Sequence, residues 1–139
     1  MAQVNRNGGS ATKPKISMIE NYAKNLSVNT TANFVNLLDI DSRGDSTGNI
    51  IIHNDAGGDL DYRVLVNCQH IDDITTPTAT DATNRDNGWR VLTTGQIATT
   101  EEPEEYNFAN NYYTKIFVQV KHTSGTTVVS CWYRGTKSQ

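Results

Sequence analysis

Charge, cysteine, proline and long apolar runs are all scarce in this 139-residue chain. Cys68 and Cys131 are too few for a disulfide framework. Both are expected as reduced thiols lining a core, because free cysteine behaves as a small hydrophobe. No stretch approaches the roughly 18 apolar residues of a membrane-crossing helix, so no membrane partner is expected. The opening Met1–Lys15 lacks the apolar segment of a secretory signal. Either the product stays in the cell where it is made, or it leaves by a route that needs no export signal. A net charge of -3 argues against direct nucleic-acid binding, which needs a basic footprint. Hydrophobic residues are only 36% of the chain, so the core should be thin.

What is abundant is β-branched. Val, Ile and Thr number 38, against 33 for Leu, Ala, Glu, Lys, Met and Gln together. β-Branched side chains suit strands better than helices. Leu60, Tyr62, Val64, Val66 and Cys68 form the cleanest period-2 face, interrupted on the other side by Leu65. Ile116, Val118 and Val120 form another, with Lys115, Phe117, Gln119 and Lys121 opposite. Val129, Cys131 and Tyr133 alternate with Val128 and Trp132, and Ile50–Ile52 is a short buried strand. Ala32, Phe34, Asn36, Leu38 and Ile40 are expected on one core face. Residues 15–26 read as a helical turn or irregular segment leading into a short strand at 24–28. Thr123–Thr126 reads as a hairpin-type connection. The pattern predicts an all-β fold, an antiparallel β-sandwich or jelly-roll-like barrel. Residues 1–15 form a flexible N-terminal arm, and 16–139 a single domain with a long polar loop at 70–88.

Candidate chemistry is sparse. Asp39, Asp41 and Gly44 match part of a calcium-loop spacing, but Arg43 and Ile50 stand where oxygen ligands belong. Arg43-Gly44-Asp45 is a three-residue match to integrin-binding loops, which chance explains. His53, His70 and His122 lack metal-ligand spacing with the cysteines. Glu101-Glu102-Pro103-Glu104-Glu105 reads as a solvated acidic loop. No nucleophile–base constellation is visible, so no enzyme, cofactor or metal is expected.

Contact-making residues stand out more. Tyr106, Phe108, Tyr112, Tyr113, Phe117, Trp132 and Tyr133 crowd the last third, and aromatics favour both cores and interfaces. Candidate partner contacts are Arg6, Lys13 and Lys15 on the arm, with Trp89, Tyr106, Phe108, Tyr112 and Tyr113 on the body. Exposed aromatics beside Asn and Asp also suit a carbohydrate-stacking platform.

The Gly/Lys-containing arm, the Thr/Asn-rich body and the long polar loop, with segments Ile50–Asn54, Leu60–Val66 and Lys115–Lys121, resemble small β-sandwich virion proteins of tailed phages. Capsid cement or decoration proteins are the nearest type. That resemblance implies a structural subunit of the virion, homo-oligomeric (trimeric or otherwise cyclic), bound to a major capsid protein lattice through its arm and loop. Physically, a thin core gains stability from repeated interfaces, and an arm laid on a sheet edge covers it. The alternative is a carbohydrate- or receptor-binding β-sandwich module of a phage or cell surface.

Overall fold

A computed structural model describes residues 18–138. The arm expected at 1–15, with Arg6, Lys13 and Lys15, lies outside the described residues. The strands are β1 (Met18–Asn29), β2 (Val35–Asp41), β3 (Thr47–Gly57), β4 (Leu60–Asn67), β5 (Arg90–Ile97), β6 (Glu104–Phe108), β7 (Lys115–His122) and β8 (Thr127–Ser138). Between β4 and β5 lie a single 3-10 turn, Ile71–Asp73, and the short helix α1, Asp81–Asp86.

The strands form two four-stranded sheets, ordered β1-β8-β3-β6 and β2-β7-β4-β5. Every neighbouring pair is antiparallel. The pairs β1–β8, β2–β7, β3–β6 and β4–β5 are nested, as in one long hairpin rolled up, and β3–β8 and β4–β7 join them into sheets. Two stacked sheets wound in this way are a jelly roll.

The inward faces follow the period-2 rule. Leu60, Tyr62, Val64 and Val66 from β4 meet Ile116, Val118 and Val120 from β7 in the core. The other sheet contributes Ile50 and Ile52 from β3 and Val129, Cys131 and Tyr133 from β8. Asn54 is fully buried among them, its Nδ2 donating to the carbonyls of Gly58 (2.8 Å) and Ile97 (2.9 Å). Gly135 is required by its neighbours, since a Cβ there would sit 2.3 Å from Asp45 Oδ2.

Five local expectations are corrected. Residues 18–29 are one strand with no helical turn, since β1 pairs with β8 along nearly its whole length. Its bulge at residues 26–27 puts Ser27 at φ 56. In β2 a register shift between Asn36 and Leu38 turns both Leu37 and Leu38 inward. It leaves Asn36 on the outer side, donating to Pro77 O at 3.0 Å. Residues 123–126 join β7 to β8, which lie in different sheets, so this is an arch and no hairpin. Thr30 braces its far end, with its hydroxyl 2.7 Å from Thr127 Oγ1 and 2.9 Å from His122 Nδ1. Cys68 is exposed because β4 ends at Asn67, whereas Cys131 is buried. Lastly, Glu104 and Glu105 begin β6.

Candidate interaction surface

The two sheets treat their outward faces differently. On β2-β7-β4-β5 the outward residues Leu65 and Phe117 are buried under residues 70–89. Trp89 packs there edge-on to Phe117, with ring centroids 5.3 Å apart, and donates its indole N–H to Thr75 O at 2.7 Å. Ile74 completes this second apolar cluster. The loop's backbone is tied down by outward polar side chains of the sheet. Gln119 Nε2 donates to Thr78 O (2.9 Å), and Asn67 Nδ2 donates to Asn87 O (3.1 Å). Arg63 donates from Nε to Gln119 Oε1 (2.8 Å) and from Nη1 to Asp81 Oδ1 (2.5 Å). The guanidinium carbon also sits 4.0 Å from the centre of the Phe34 ring. Arg63's hydrogen bond and charge hold the Asp81 carboxyl below its ordinary range.

The long polar loop at 70–88 is thus fastened to its own sheet, although most of its residues stay exposed. The same packing relocates Trp89. Expected at a partner contact, Trp89 is 4% exposed and pins the loop to its own sheet. The signals were present in Leu65 and Phe117, apolar residues at outward strand positions.

On β1-β8-β3-β6 no element among the described residues covers the outward face. Strand register sets its side chains in rows. One row runs Lys24, Trp132, Ile51, Glu105. The next runs Tyr22, Arg134, Asn49, Asn107. Tyr22 is 63% exposed and Trp132 39%. Together with Ala23, Lys24, Asn49, Ile51, Tyr133 and Arg134, they line a shallow groove of about 620 Å³. The polar groups around the aromatics are mutually ordered. Arg134 pairs with Glu20, and Tyr22 donates its hydroxyl to Glu20 Oε2 at 2.7 Å. The Arg134 hydrogen bond, then that of Tyr22, lowers the Glu20 pKa. Asn49 Nδ2 donates to Glu105 Oε2 at 2.6 Å and also reaches Asn107. An aromatic pair framed by fixed donors and acceptors is the make-up of a protein or sugar contact, with the groups pre-positioned.

The other expected contacts divide. Tyr112 is 80% exposed, on the segment before β7. Tyr106, Phe108 and Tyr113 are partly buried and pack against the main core. Phe108 stacks on Tyr133, with centroids 6.5 Å apart. Sequence reasoning named Trp132 among the aromatics but did not place Tyr22 beside it, because that neighbourhood exists only through the β1–β8 register.

The acidic turn offers no convergent cage. Asp39 pairs with Lys115 at 2.5 Å and Asp41 with Arg43 at 2.7 Å. Asp45 is buried, accepting from Tyr133 Oη (2.6 Å) and Asn21 Nδ2 (3.0 Å). Burial, with Asp45 beside it, pushes the Tyr133 phenol well above its ordinary range. Asp45 is therefore withdrawn from the surface that the Arg43-Gly44-Asp45 match would need. Among the described residues no three His, Cys, Asp or Glu side chains gather as a metal site. No helix among them is long and apolar enough to cross a membrane.

Compared with known proteins, the sequence matches no family model and no curated protein. Solved structures are similar in fold. A subunit of Bacillus endospore appendages, described as disulfide-linked pili, aligns over 99% of this chain and 100% of that chain, with TM-score 0.51 and 12% identity. A Yersinia pseudotuberculosis-derived mitogen aligns over 87% and 86%, with TM-score 0.44 and 12% identity. The Desmodium yellow mottle tymovirus structure aligns over 100% and 95%, with TM-score 0.41 and 10% identity. At such identities the appendage subunit shows a shared fold, and the two lower scores carry no argument.

Proposed function

We propose that this chain is a non-catalytic structural subunit that associates with copies of itself and with a larger protein shell. In its finer form the reading is a cement or decoration subunit of a viral capsid, located in the virion. The observation that carries it is the asymmetry of the two sheets. Along β4 and β7 one outward face lies under the chain's own loop, with Val91 of β5 left open, while the other presents Tyr22 and Trp132 to solvent, with half-buried Ile51 beside Trp132. Large apolar residues left open at the centre of a sheet face mark a contact surface. The jelly roll is compatible with this role but is shared by unrelated functions.

A second reading is favoured by the same groove. Trp132 flanked by Asn49 and Lys24 could stack a sugar ring and bond its hydroxyls, giving a carbohydrate-binding module. Two assays on wild type and Trp132→Ser separate the readings. Co-sedimentation with purified shells, lost in the variant, supports the structural subunit. Binding on a glycan array, lost in the variant while shell binding is absent, supports the lectin and overturns the first reading.

A further inference from the structure

A second concavity lies where α1 and β5 meet the outward face of β4. It measures about 380 Å³ and is lined by Arg63, Leu65, Asp81, Asn84, Arg85, Trp89, Arg90 and Val91. Three of these are arginines, against one carboxylate. Arg63 is 7% exposed at its side chain and spends one nitrogen on Asp81. Its Nη2 has no hydrogen-bond partner among the described residues. Arg85 and Arg90 are exposed, and neither is in an ion pair among the described residues. Apart from Asp81, the nearest carboxylate in sequence is the exposed Asp86 beside Arg85. The pocket thus has an apolar floor of Leu65 and Trp89, an apolar wall at Val91 and unspent positive charge at its mouth. That combination suits an extended segment carrying carboxylates.

The same chain carries such a segment at the far end of β5. Residues 101–105 hold four glutamates and one proline, all exposed. Glu101 Oε1 accepts from Ala98 N at 2.7 Å, which folds the turn back against the end of the strand. Arg90 and Ile97 are the two ends of β5, about 23 Å apart at the usual strand rise. The acidic turn therefore lies far from the arginine mouth of its own molecule, and a second copy can bring one to it.

We infer that the Arg63–Arg85–Arg90 pocket receives the acidic turn ahead of β6, carrying Glu101 and Glu102, of a second copy, giving a head-to-tail contact between subunits. This rests on the self-associating reading above and assigns it an interface. Such a contact joins two different patches, so it closes into a ring or propagates as a filament. Its attraction acts between exposed charges and is screened by salt.

The test uses the full chain in sedimentation velocity. Wild type is compared with R85E/R90E, with E101Q/E102R, and with an equal mixture of the two. Gln at 101 keeps the acceptor for Ala98 N, and circular dichroism confirms that each variant is folded. The contact predicts that each variant alone associates at least about tenfold more weakly than wild type, as expected for lost close charge pairs. The mixture should recover association in pairs, because the unaltered arginine pocket of E101Q/E102R then meets the unaltered acidic turn of R85E/R90E. Raising salt from about 0.05 to about 0.5 M should weaken wild type in the same direction. Wild type that associates while the folded variants match it, or a mixture that gives no recovery, overturns this interface and leaves the structural reading standing. Wild type that is monomeric at every concentration overturns both.

Discussion

The outward faces of the two sheets are built from similar strands and end in opposite states. On the β2-β7-β4-β5 sheet, Arg63, Leu65, Asn67, Phe117 and Gln119 all point away from the core, yet all are buried. The intervening chain returns across them, satisfies most of their polar atoms, Arg63 Nη2 excepted, and shields their apolar ones. On the β1-β8-β3-β6 sheet, Tyr22, Trp132 and Arg134 point outward and stay open. The lesson is about what an outward apolar residue means. It signals a cover, and the cover is the chain itself in one case and, on our reading, another molecule in the other.

The two tryptophans make that contrast measurable. Trp89→Ala should cost about 3–5 kcal/mol, the usual range for emptying a large aromatic site, because the Leu65–Phe117 cluster loses its lid. Trp132→Ala should cost under about 1 kcal/mol in the isolated subunit, as at half-exposed positions without a special partner. Urea unfolding monitored by circular dichroism gives both numbers, and equal costs would break the contrast.

The polar latch of the cover should matter less. Asn84 is buried, accepting from Thr78 N at 2.7 Å and donating to Thr78 O at 2.8 Å. Asn84→Ala removes both bonds, leaving Thr78 N without its partner while Thr78 O keeps Gln119 Nε2, at a cost of about 0.5–1.5 kcal/mol per bond. Limited proteolysis should then cut within 70–88 faster than in wild type, with the β1-β8-β3-β6 sheet intact.

Much of this was legible in the sequence, and the limits have physical causes. The inward rows of β4 and β7 could be read because burial on one face imposes alternation. Leu65 and Phe117 already pointed to a covered outer face. Residues 18–29 could not be read, since Asn21, Lys24 and Asn25 give no alternation and the strand is specified by its pairing with β8. The doubled Leu37-Leu38 hid a bulge. The Tyr22–Trp132–Ile51 surface combines three strands from distant parts of the chain, and no local pattern announces that meeting.

Acid provides a gentler probe of the cover. The folded pKa of Asp81 is lowered, first by its hydrogen bond from Arg63. Its contribution is therefore complete above the ordinary aspartate value and is lost as pH falls through the lower folded value. Below about pH 4, amide exchange in 78–88 should rise. Asp81→Asn should flatten that response. The effect is small because the Asp81 side chain is 66% exposed.

The smallest expected effect concerns the thiols. Burial pushes Cys131 up to about 12, whereas Cys68 is exposed beyond the end of β4. At neutral pH, iodoacetamide should label Cys68 and leave Cys131 unmodified in the folded chain. Labelling of Cys131 at a comparable rate would mean that the core beneath the open sheet is looser than its packing indicates.

Hydroxyl-radical footprinting of wild type, dilute and assembled, tests the central claim most directly. The account predicts that Trp132 and Tyr22 are oxidised readily in the dilute subunit and protected on assembly, while Trp89 is protected in both. Assembly that leaves Trp132 as reactive as in the dilute subunit would contradict it.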